Sequence, residues 1–230
     1  MTRETRPLWP AAAEDTKNAA ELFEQFKRTK TKIAIQKDGE LTDISRAILA
    51  DTFDIVVPAK DPKDRRLVAV SEDGEYGFVY ARNKGICELV ANGAVDMAVV
   101  GTDRLIEDQA EDRVDIVASY RDAYSWPLVL ATPVTRQIEE PRQIRRVATQ
   151  YPVITRRYFQ SMGIDEIDIV PTVGGTELYP YLDYNGQIDA IVDMSVSGQS
   201  LAAHNLTPWT PTIGDVYPVL IQAQQLERLG

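Results

Sequence analysis

The sequence predicts a two-lobed α/β fold in which mixed, mostly parallel sheets are flanked by helices. Short apolar runs alternate with helix-like segments through most of the chain, which is the pattern of an α/β protein. The run at residues 97–101 has no charged or polar side chain, as expected of a strand covered on both faces. There are more strand-like runs than one small sheet holds, so we expect an N-terminal extension (1–30), lobe I (31–124 and 207–230) and lobe II (125–206).

The elements of the first part of the chain follow from residue type and spacing. In order, they are a helix over 11–28, a strand over 32–35, a helix over 43–50, an extended segment over 54–58, strands over 67–70 and 77–80, a helix over 86–92, a strand over 97–101 and a short helix. Asp43 is expected to cap the second helix, and Thr102 and Asp103 are candidate caps of the last one. The pair Asp73-Gly74 predicts a hairpin turn, and Gly93 predicts a left-handed helix end.

The second part of the chain continues the alternation. We expect strands over 116–119, 128–131, 146–149, 167–170 and 190–193, helices over 155–162 and 176–182, a helix starting near Ser200, and a closing segment over 216–226. In such folds ligands bind at the carboxyl ends of the parallel strands. Candidate functional residues should therefore be sought where these strands end.

Composition and charge exclude several classes of function. The net charge of −10 disfavours binding to a nucleic-acid backbone. No run of about 18 apolar residues is present, which argues against a membrane span, and residues 1–10 do not resemble a secretory signal. Cys87 is the single cysteine, so no disulfide forms within the chain and a reducing, cytoplasmic location is expected.

The stretch over residues 189–201 carries the clearest chemistry. An apolar strand is bounded by Asp189 and Asp193 and leads into a turn of small polar residues, namely Ser197, Gly198, Gln199 and Ser200. Glycine allows the backbone to turn tightly and approach a ligand, and the turn's N–H and hydroxyl groups could hold a phosphate. Asp193 is placed to hold ribose hydroxyls or Mg²⁺. Taken alone, however, an ordinary strand followed by a Ser/Gly turn would be the better interpretation.

Four stretches in the same order give this segment a context. Residues 92–103, 148–164, 174–180 and 189–201 resemble successive motifs of the ATP phosphoribosyltransferase family. The resemblance spans roughly residues 32–206, and the last stretch is similar to the loop that binds phosphoribosyl pyrophosphate (PRPP) in that family. The chain therefore resembles a divergent member of the short form of the catalytic subunit.

The resemblance implies a glycosyltransferase activity with a defined set of ligands. Adenine N1 of ATP would attack the anomeric carbon of PRPP and release pyrophosphate, with Mg²⁺ required, in the first step of histidine biosynthesis. PRPP would contact Asp189, Asp193, Ser197, Gly198, Gln199 and Ser200, and Asp193 would also bind the metal. ATP would contact Lys37, Arg65, Arg82, Lys84 and Glu177. Each of these four basic residues could instead be a solvated surface charge.

Departures from the family pattern leave alternatives open. Glu40 stands where the family has an arginine, and an acid there would repel a phosphate; Gln150 replaces a lysine. A relative with an altered acceptor, or a non-catalytic anion-binding or regulatory protein with a periplasmic-binding-protein-like fold, therefore remains an alternative. Because the chain ends at Gly230, the resemblance also implies a separate regulatory subunit related to histidyl-tRNA synthetase, and we expect a homo-oligomer.

Overall fold

The computed structural model describes residues 13–59, 65–182 and 186–224. The chain divides into two compact units, residues 1–99 and 100–230. Each unit combines sheet and helix, which confirms the predicted α/β class with mixed sheets, while the exact lobe bounds stay a prediction. In the described part of the chain, no helix is both long and apolar enough to cross a membrane.

The first unit is a mixed sheet with helices. Its elements are α1 (Ala13–Arg28), β1 (Thr31–Gln36), α2 (Glu40–Phe53), β2 (Val68–Val70), β3 (Tyr76–Ala81), α3 (Ile86–Ala91) and the start of β4 (Met97–Gly101). The strand order is β2-β3-β1-β4, with β1 parallel to β3 and β4 and with β2 antiparallel to β3. Ile33, Ile35 and Phe78 are completely buried and form the centre of this sheet.

Two predictions of helix caps need correction, one in each unit. Helix α2 begins at Glu40 after Gly39, which has a φ of 105°, so Asp43 lies inside the first turn and does not cap it. Thr102 and Asp103 likewise lie in the first turn of the following helix, where Gly101 is the N-cap. Acidic residues near a helix start interact favourably with the helix dipole, which explains their positions without a capping bond.

The second unit contains most of the chain's strands. Its elements are α4 (Thr102–Glu107), β5 (Val114–Ser119), β6 (Trp126–Pro133), a 3₁₀ turn (Pro141–Gln143), β7 (Arg146–Thr149), α5 (Pro152–Ser161), β8 (Asp168–Pro171), a second 3₁₀ turn (Thr176–Tyr181), β9 (Ala190–Met194), α6 (Gln199–Ala203), β10 (Leu206–Pro208), β11 (Gly214–Val216) and β12 (Pro218–Ala223). The sequence did not predict β10 and β11, which are three residues each.

The sheet that positions the site has the strand order β10-β6-β9-β7-β8, with β11 also pairing with β6. Strands β7, β8 and β9 are mutually parallel, and β6 runs antiparallel to β9. Strand β5 pairs antiparallel with β12. Because three adjacent strands share one direction, the segments that leave their carboxyl ends come together at one edge of the sheet.

Helix α5, which follows β7, is fixed by a carboxylate from another helix. The Glu107 side chain at the end of α4 accepts hydrogen bonds from the N–H groups of Val153 and Ile154, at 3.1 and 2.8 Å. These N–H groups belong to the first turn of α5, which has no backbone acceptor of its own. The Arg157 guanidinium donates two hydrogen bonds to the Glu111 carboxylate, at 2.6 and 2.8 Å. The connection between β7 and α5 is thereby held at a defined place.

Candidate functional site

Polar side chains lie where the three parallel strands of the second unit end. Thr149 is the last residue of β7, Thr172 follows β8, and Asp193 is the penultimate residue of β9. The Thr149 hydroxyl donates to the Val192 carbonyl at 2.7 Å, and the Thr172 amide donates to the Thr149 carbonyl at 2.8 Å. These contacts tie the three strand ends together, so this edge presents a fixed set of polar groups.

Asp193 is the central acidic group at this edge. Its Oδ1 atom accepts the Met194 N–H at 2.8 Å. Partial burial raises the pKa of Asp193 to about 6, and the charge of Glu177 adds to the rise. A desolvated carboxylate favours the approach of a cation or of hydroxyl donors, which is the behaviour expected of a sugar or metal ligand.

A tight turn follows β9 at the place where the sequence predicts a phosphate-binding loop. Gly198 has a φ of 70°, which disfavours any residue with a Cβ atom. A Cβ atom placed there would meet nothing within 4 Å, so the space beside this backbone is open. Helix α6 begins at Gln199, and the first N–H groups of a helix have no intrahelical acceptor. An anion could therefore approach the backbone at this turn.

A contact between Glu177 and Ser200 joins two residues that the sequence assigned to different ligands. The Ser200 hydroxyl donates to the Glu177 carboxylate, and this bond lowers the pKa of Glu177. Glu177 also influences the pKa of Asp193, so the structure groups it with the residues of the second unit that the sequence predicts to bind PRPP. Ser197 lies in the same turn, and its Oγ atom accepts the Gln199 N–H at 3.4 Å.

The sequence analysis missed four polar residues of this edge, namely Thr149, Tyr151, Thr172 and Thr176. Tyr151 is 9% exposed, and its pKa is raised by burial and further by Asp103 and Asp193. The signal that could have found Thr149 and Thr172 was available, because each stands directly at the end of an apolar run. No sequence pattern indicates Thr176, since its position depends on the path of the turn before it.

Asp189 does not join this group, and the expectation that it holds the same ribose as Asp193 is corrected here. Asp189 precedes β9 at the opposite end of the strand, about 13 Å away at 3.3 Å per residue. Its carboxylate accepts the N–H groups of Arg145 and Arg146 at 2.9 and 3.1 Å, and it pairs with Arg136 at 3.2 Å. These contacts give Asp189 a structural role at the amino-terminal edge of the sheet.

The four predicted cations belong to the first unit and share one edge of its sheet. Lys37 follows β1 and Arg82 follows β3, and these strands are parallel and end side by side, with the Lys37 N–H donating to the Ala81 carbonyl at 2.7 Å. Arg65 precedes β2, which starts at the same edge, and Lys84 follows Arg82 in the chain. All four side chains are exposed. The strand order thus places the four cations at one edge of the sheet, where each side chain remains exposed to solvent.

The described residues do not form a protein-only metal site. Within these ranges no group of three or more His, Cys, Asp or Glu side chains could hold a metal ion. Mg²⁺ usually keeps several waters and binds one or two carboxylates together with substrate phosphates. Asp193, with Glu177 close enough to affect its pKa, fits that mode of binding.

The raised pKa of Asp193 predicts a pH-dependent difference in stability between the wild type and Asp193→Asn. A pKa raised from 3.8 to about 6 means that the folded state binds the proton more tightly than the unfolded state. Wild-type stability should therefore fall as pH rises from 4 to 6, by at most about 3 kcal/mol. The asparagine variant should lack this contribution. Urea unfolding of both proteins at several pH values measures it, and equal curves at every pH would contradict the burial of the charge.

Comparison with known proteins identifies similar chains over most of this length. The ATP phosphoribosyltransferase family profile matches residues 82–229. An ATP phosphoribosyltransferase from Methanococcoides burtonii is 34% identical over 177 residues, covering 76% of this chain and 59% of that protein. One from Haloarcula marismortui is also 34% identical, covering 76% of this chain and 60% of that protein. The chain thus spans about three fifths of the length of these relatives.

Solved structures agree with the fold. The ATP phosphoribosyl transferase (HisG:HisZ) complex from Thermotoga maritima aligns with a TM-score of 0.66 and 25% identity, covering 84% of this chain and 87% of that chain. The substrate binding protein of an amino acid ABC transporter aligns with a TM-score of 0.51 and 15% identity, covering 85% and 86%. At that identity the second similarity concerns the fold alone, which fits the predicted periplasmic-binding-protein-like architecture.

Proposed function

The chain belongs to the ATP phosphoribosyltransferase family, and on this basis we propose that it joins ATP to the ribose of PRPP with release of pyrophosphate. A bond forms between adenine N1 and the anomeric carbon, and the bond from that carbon to the pyrophosphate oxygen breaks. This is the first step of histidine biosynthesis. The observation that carries the proposal is the grouping of Asp193, the open turn at Gly198 and Ser200 at one sheet edge.

The second unit is proposed to bind PRPP. The backbone and hydroxyl groups of Ser197, Gly198, Gln199 and Ser200 bind the 5-phosphate, since this turn offers N–H donors beside open space. Asp193 accepts hydrogen bonds from the ribose hydroxyls. The carboxylate is already held by the Met194 N–H, which limits its reorganisation when the sugar binds.

Mg²⁺ is proposed to bind at the same place through Asp193 and the oxygens of the substrate. When bound, the ion would neutralise charge on the leaving pyrophosphate and reduce the repulsion between the substrate and the carboxylates of Asp193 and Glu177. The residues of the chain position the ribose and keep the two carboxylates apart, because Glu177 is bonded to Ser200.

ATP is proposed to bind through its phosphates to Lys37, Arg65, Arg82 and Lys84, with Glu177 contacting the nucleotide. The four cations share one edge of the first unit's sheet, and a group of like charges there favours a polyanion. Glu40, the acid that appeared to oppose phosphate binding, is the first residue of α2. An acid at a helix start has a stabilising role of its own, so its presence does not require an altered ligand.

Partners and location belong to the same proposal. The Thermotoga maritima relative was solved as a HisG:HisZ complex, which supports a separate regulatory subunit for this chain as well. We propose that this subunit is related to histidyl-tRNA synthetase, that the protein forms a homo-oligomer, and that it acts in the cytoplasm.

A direct assay tests the proposed activity. The full chain, with and without a candidate regulatory subunit, is incubated with PRPP, ATP, Mg²⁺ and pyrophosphatase, and the ultraviolet absorbance of the adduct is followed. Turnover that requires both substrates and Mg²⁺ is expected. The regulatory subunit is included because a catalytic subunit of this kind can depend on it for full activity.

The same assay separates the alternatives. PRPP binding by calorimetry without turnover on ATP, but with turnover on another purine nucleotide, would show an altered acceptor. Binding of neither PRPP nor ATP, in the presence of the regulatory subunit, would contradict the proposed function and leave only the fold.

A further inference from the structure

The first turn of α5 depends on a side chain that is distant in the sequence. Pro152 is the first residue of the helix, and Tyr151, its N-cap, makes no side-chain capping bond. The next two N–H groups, those of Val153 and Ile154, donate instead to the carboxylate of Glu107, at 3.1 and 2.8 Å. Each oxygen of this carboxylate accepts one of the two N–H groups. Glu107 therefore replaces the local cap that α5 lacks, and its negative charge interacts favourably with the helix dipole.

The end of β7 connects this helix start with the strand that carries Asp193. The Tyr151 N–H donates to the Thr149 hydroxyl at 2.9 Å, and that hydroxyl donates to the Val192 carbonyl at 2.7 Å. Thr149 is completely buried and lies opposite Val192 in the parallel pairing of β7 with β9. Two consecutive hydrogen bonds thus lead from the N-cap of α5 to the peptide bond between Val192 and Asp193.

The buried bonds of this connection make its parts move together. A hydroxyl has one proton, which Thr149 donates to the Val192 carbonyl, so its oxygen is left to accept the Tyr151 N–H. A buried donor or acceptor that loses its partner is costly. A displacement of the first turn of α5 should therefore also move the end of β7 and the adjacent peptide of β9.

We propose that Glu107 is a positioning residue for the PRPP site, which sets the place of Asp193 by holding the first turn of α5. Its carboxylate acts through Tyr151 and Thr149 and is itself engaged by two backbone N–H groups. Small displacements of a group that holds the substrate reduce both its affinity and the rate of reaction. This inference rests on the proposed function, because it presumes that Asp193 binds the sugar.

A second acid that contacts the same helix provides a matched control. Glu111 accepts two hydrogen bonds from Arg157, which lies in the middle of α5 and not in its first turn. The two side chains are 37% and 49% exposed, and an ion pair of this kind contributes little to stability. Glu111→Gln therefore removes a carboxylate that contacts α5 while the bonds of the first turn stay in place.

The comparison of Glu107→Gln with Glu111→Gln tests the inference. Glu107→Gln keeps the size of the side chain but replaces one acceptor oxygen with an NH₂ group, which cannot accept an N–H of α5. On the full chain we measure the Kd for PRPP with Mg²⁺ by calorimetry, the KM for PRPP and for ATP, and the free energy of unfolding.

Glu107→Gln should weaken PRPP binding about tenfold and leave the KM for ATP unchanged, whereas Glu111→Gln should match the wild type in both. A merely structural role would lower the free energy of unfolding but leave the Kd of the folded protein unchanged. Equal losses of PRPP affinity in the two variants would overturn the specific role of Glu107.

Thr149→Val tests the path between Glu107 and the site. It removes the hydroxyl between Tyr151 and Val192 and nearly keeps the shape of the side chain. If Glu107 acts through this hydroxyl, the double variant should lose no more PRPP affinity than the more affected single variant, because residues of one hydrogen-bond network are not additive. Losses that multiply would overturn the path through Thr149.

The outcomes are distinct from a failure of the proposed function. If Glu107→Gln binds PRPP like the wild type while Asp193→Ala does not, the positioning role is overturned and the function stands. If Asp193→Ala itself keeps PRPP binding and turnover, the assignment of the site fails. If Glu107→Gln does not fold, Glu107→Asp takes its place, because it keeps the charge but is too short to reach both N–H groups. Weaker PRPP binding in that variant supports the inference, and an unchanged Kd overturns it.

Discussion

Turnover should fall by about a hundredfold or more when Asp193 is replaced by alanine, and the PRPP affinity should fall with it. The carboxylate lies at the carboxyl end of β9 with the Met194 N–H already donating to it. Removing one preorganised group that stabilises charge commonly costs a factor of this size. Steady-state kinetics and calorimetry on the same preparation measure the two quantities.

The same substitution, Asp193→Ala, should lower turnover without lowering the free energy of unfolding. Because burial raises the pKa of Asp193, ionisation of this group costs folding free energy at neutral pH, and its removal should leave the protein equally or more stable. A residue that weakens the fold is typical of a functional site. Asp168→Ala is the matched control, since that side chain is 62% exposed at the other edge of the sheet. Full activity in Asp193→Ala would refute the assignment.

Asp189→Ala should instead destabilise the second unit, by about 2–3 kcal/mol. The side chains of Asp189 and its partner Arg136 are only 15% and 22% exposed, and the carboxylate also accepts two backbone N–H groups, those of Arg145 and Arg146. The substitution removes the acceptor of the two N–H groups and the ionic partner of Arg136, which keeps only its bond to the Ile188 carbonyl, and losing one partner of a largely buried charge pair is costly. Urea unfolding at constant pH measures the change.

Two comparisons test whether the loss of stability in Asp189→Ala comes from the partly buried contacts of Asp189. Asp168 pairs with Arg146 at 2.7 Å at the same edge but is mostly exposed, so Asp168→Ala should cost less than about 1 kcal/mol. The PRPP affinity of folded Asp189→Ala should remain close to that of the wild type. A large loss of affinity without a loss of stability would instead return Asp189 to the PRPP site, as the sequence first suggested.

The order of strands and helices could be predicted from the sequence because buried positions leave a local pattern of apolar residues. Strand β4 coincides with the predicted run of 97–101, and the hairpin at Asp73-Gly74 and the left-handed Gly93 are both confirmed. Helix starts were less accessible. Gly39 and Gly101, and not the neighbouring polar side chains, are the N-caps of α2 and α4, so the acids lie in the first turn of each helix.

The sequence predicted the candidate site only in part, because no local sequence pattern shows which residues become neighbours on adjacent strands. Asp189 and Asp193 looked equivalent as two acids bounding one apolar run. The strand separates them to opposite edges, where one is neutralised by Arg136 and the other accepts the Met194 N–H. Thr176 could not be identified, because its contact with Thr172 depends on the turn at Gly174 and Gly175.

The sequence by itself determined the α/β class, the family and the turn at Gly198, because each depends on residue types within a few positions of one another. The tertiary structure decided which charges meet. Parallel pairing of β7, β8 and β9 brings residues that are far apart in the sequence to one edge of the sheet. The two ends of any one strand lie at opposite edges. The chemistry of an aspartate here therefore depends on which end of its strand it occupies, a property of the assembled sheet.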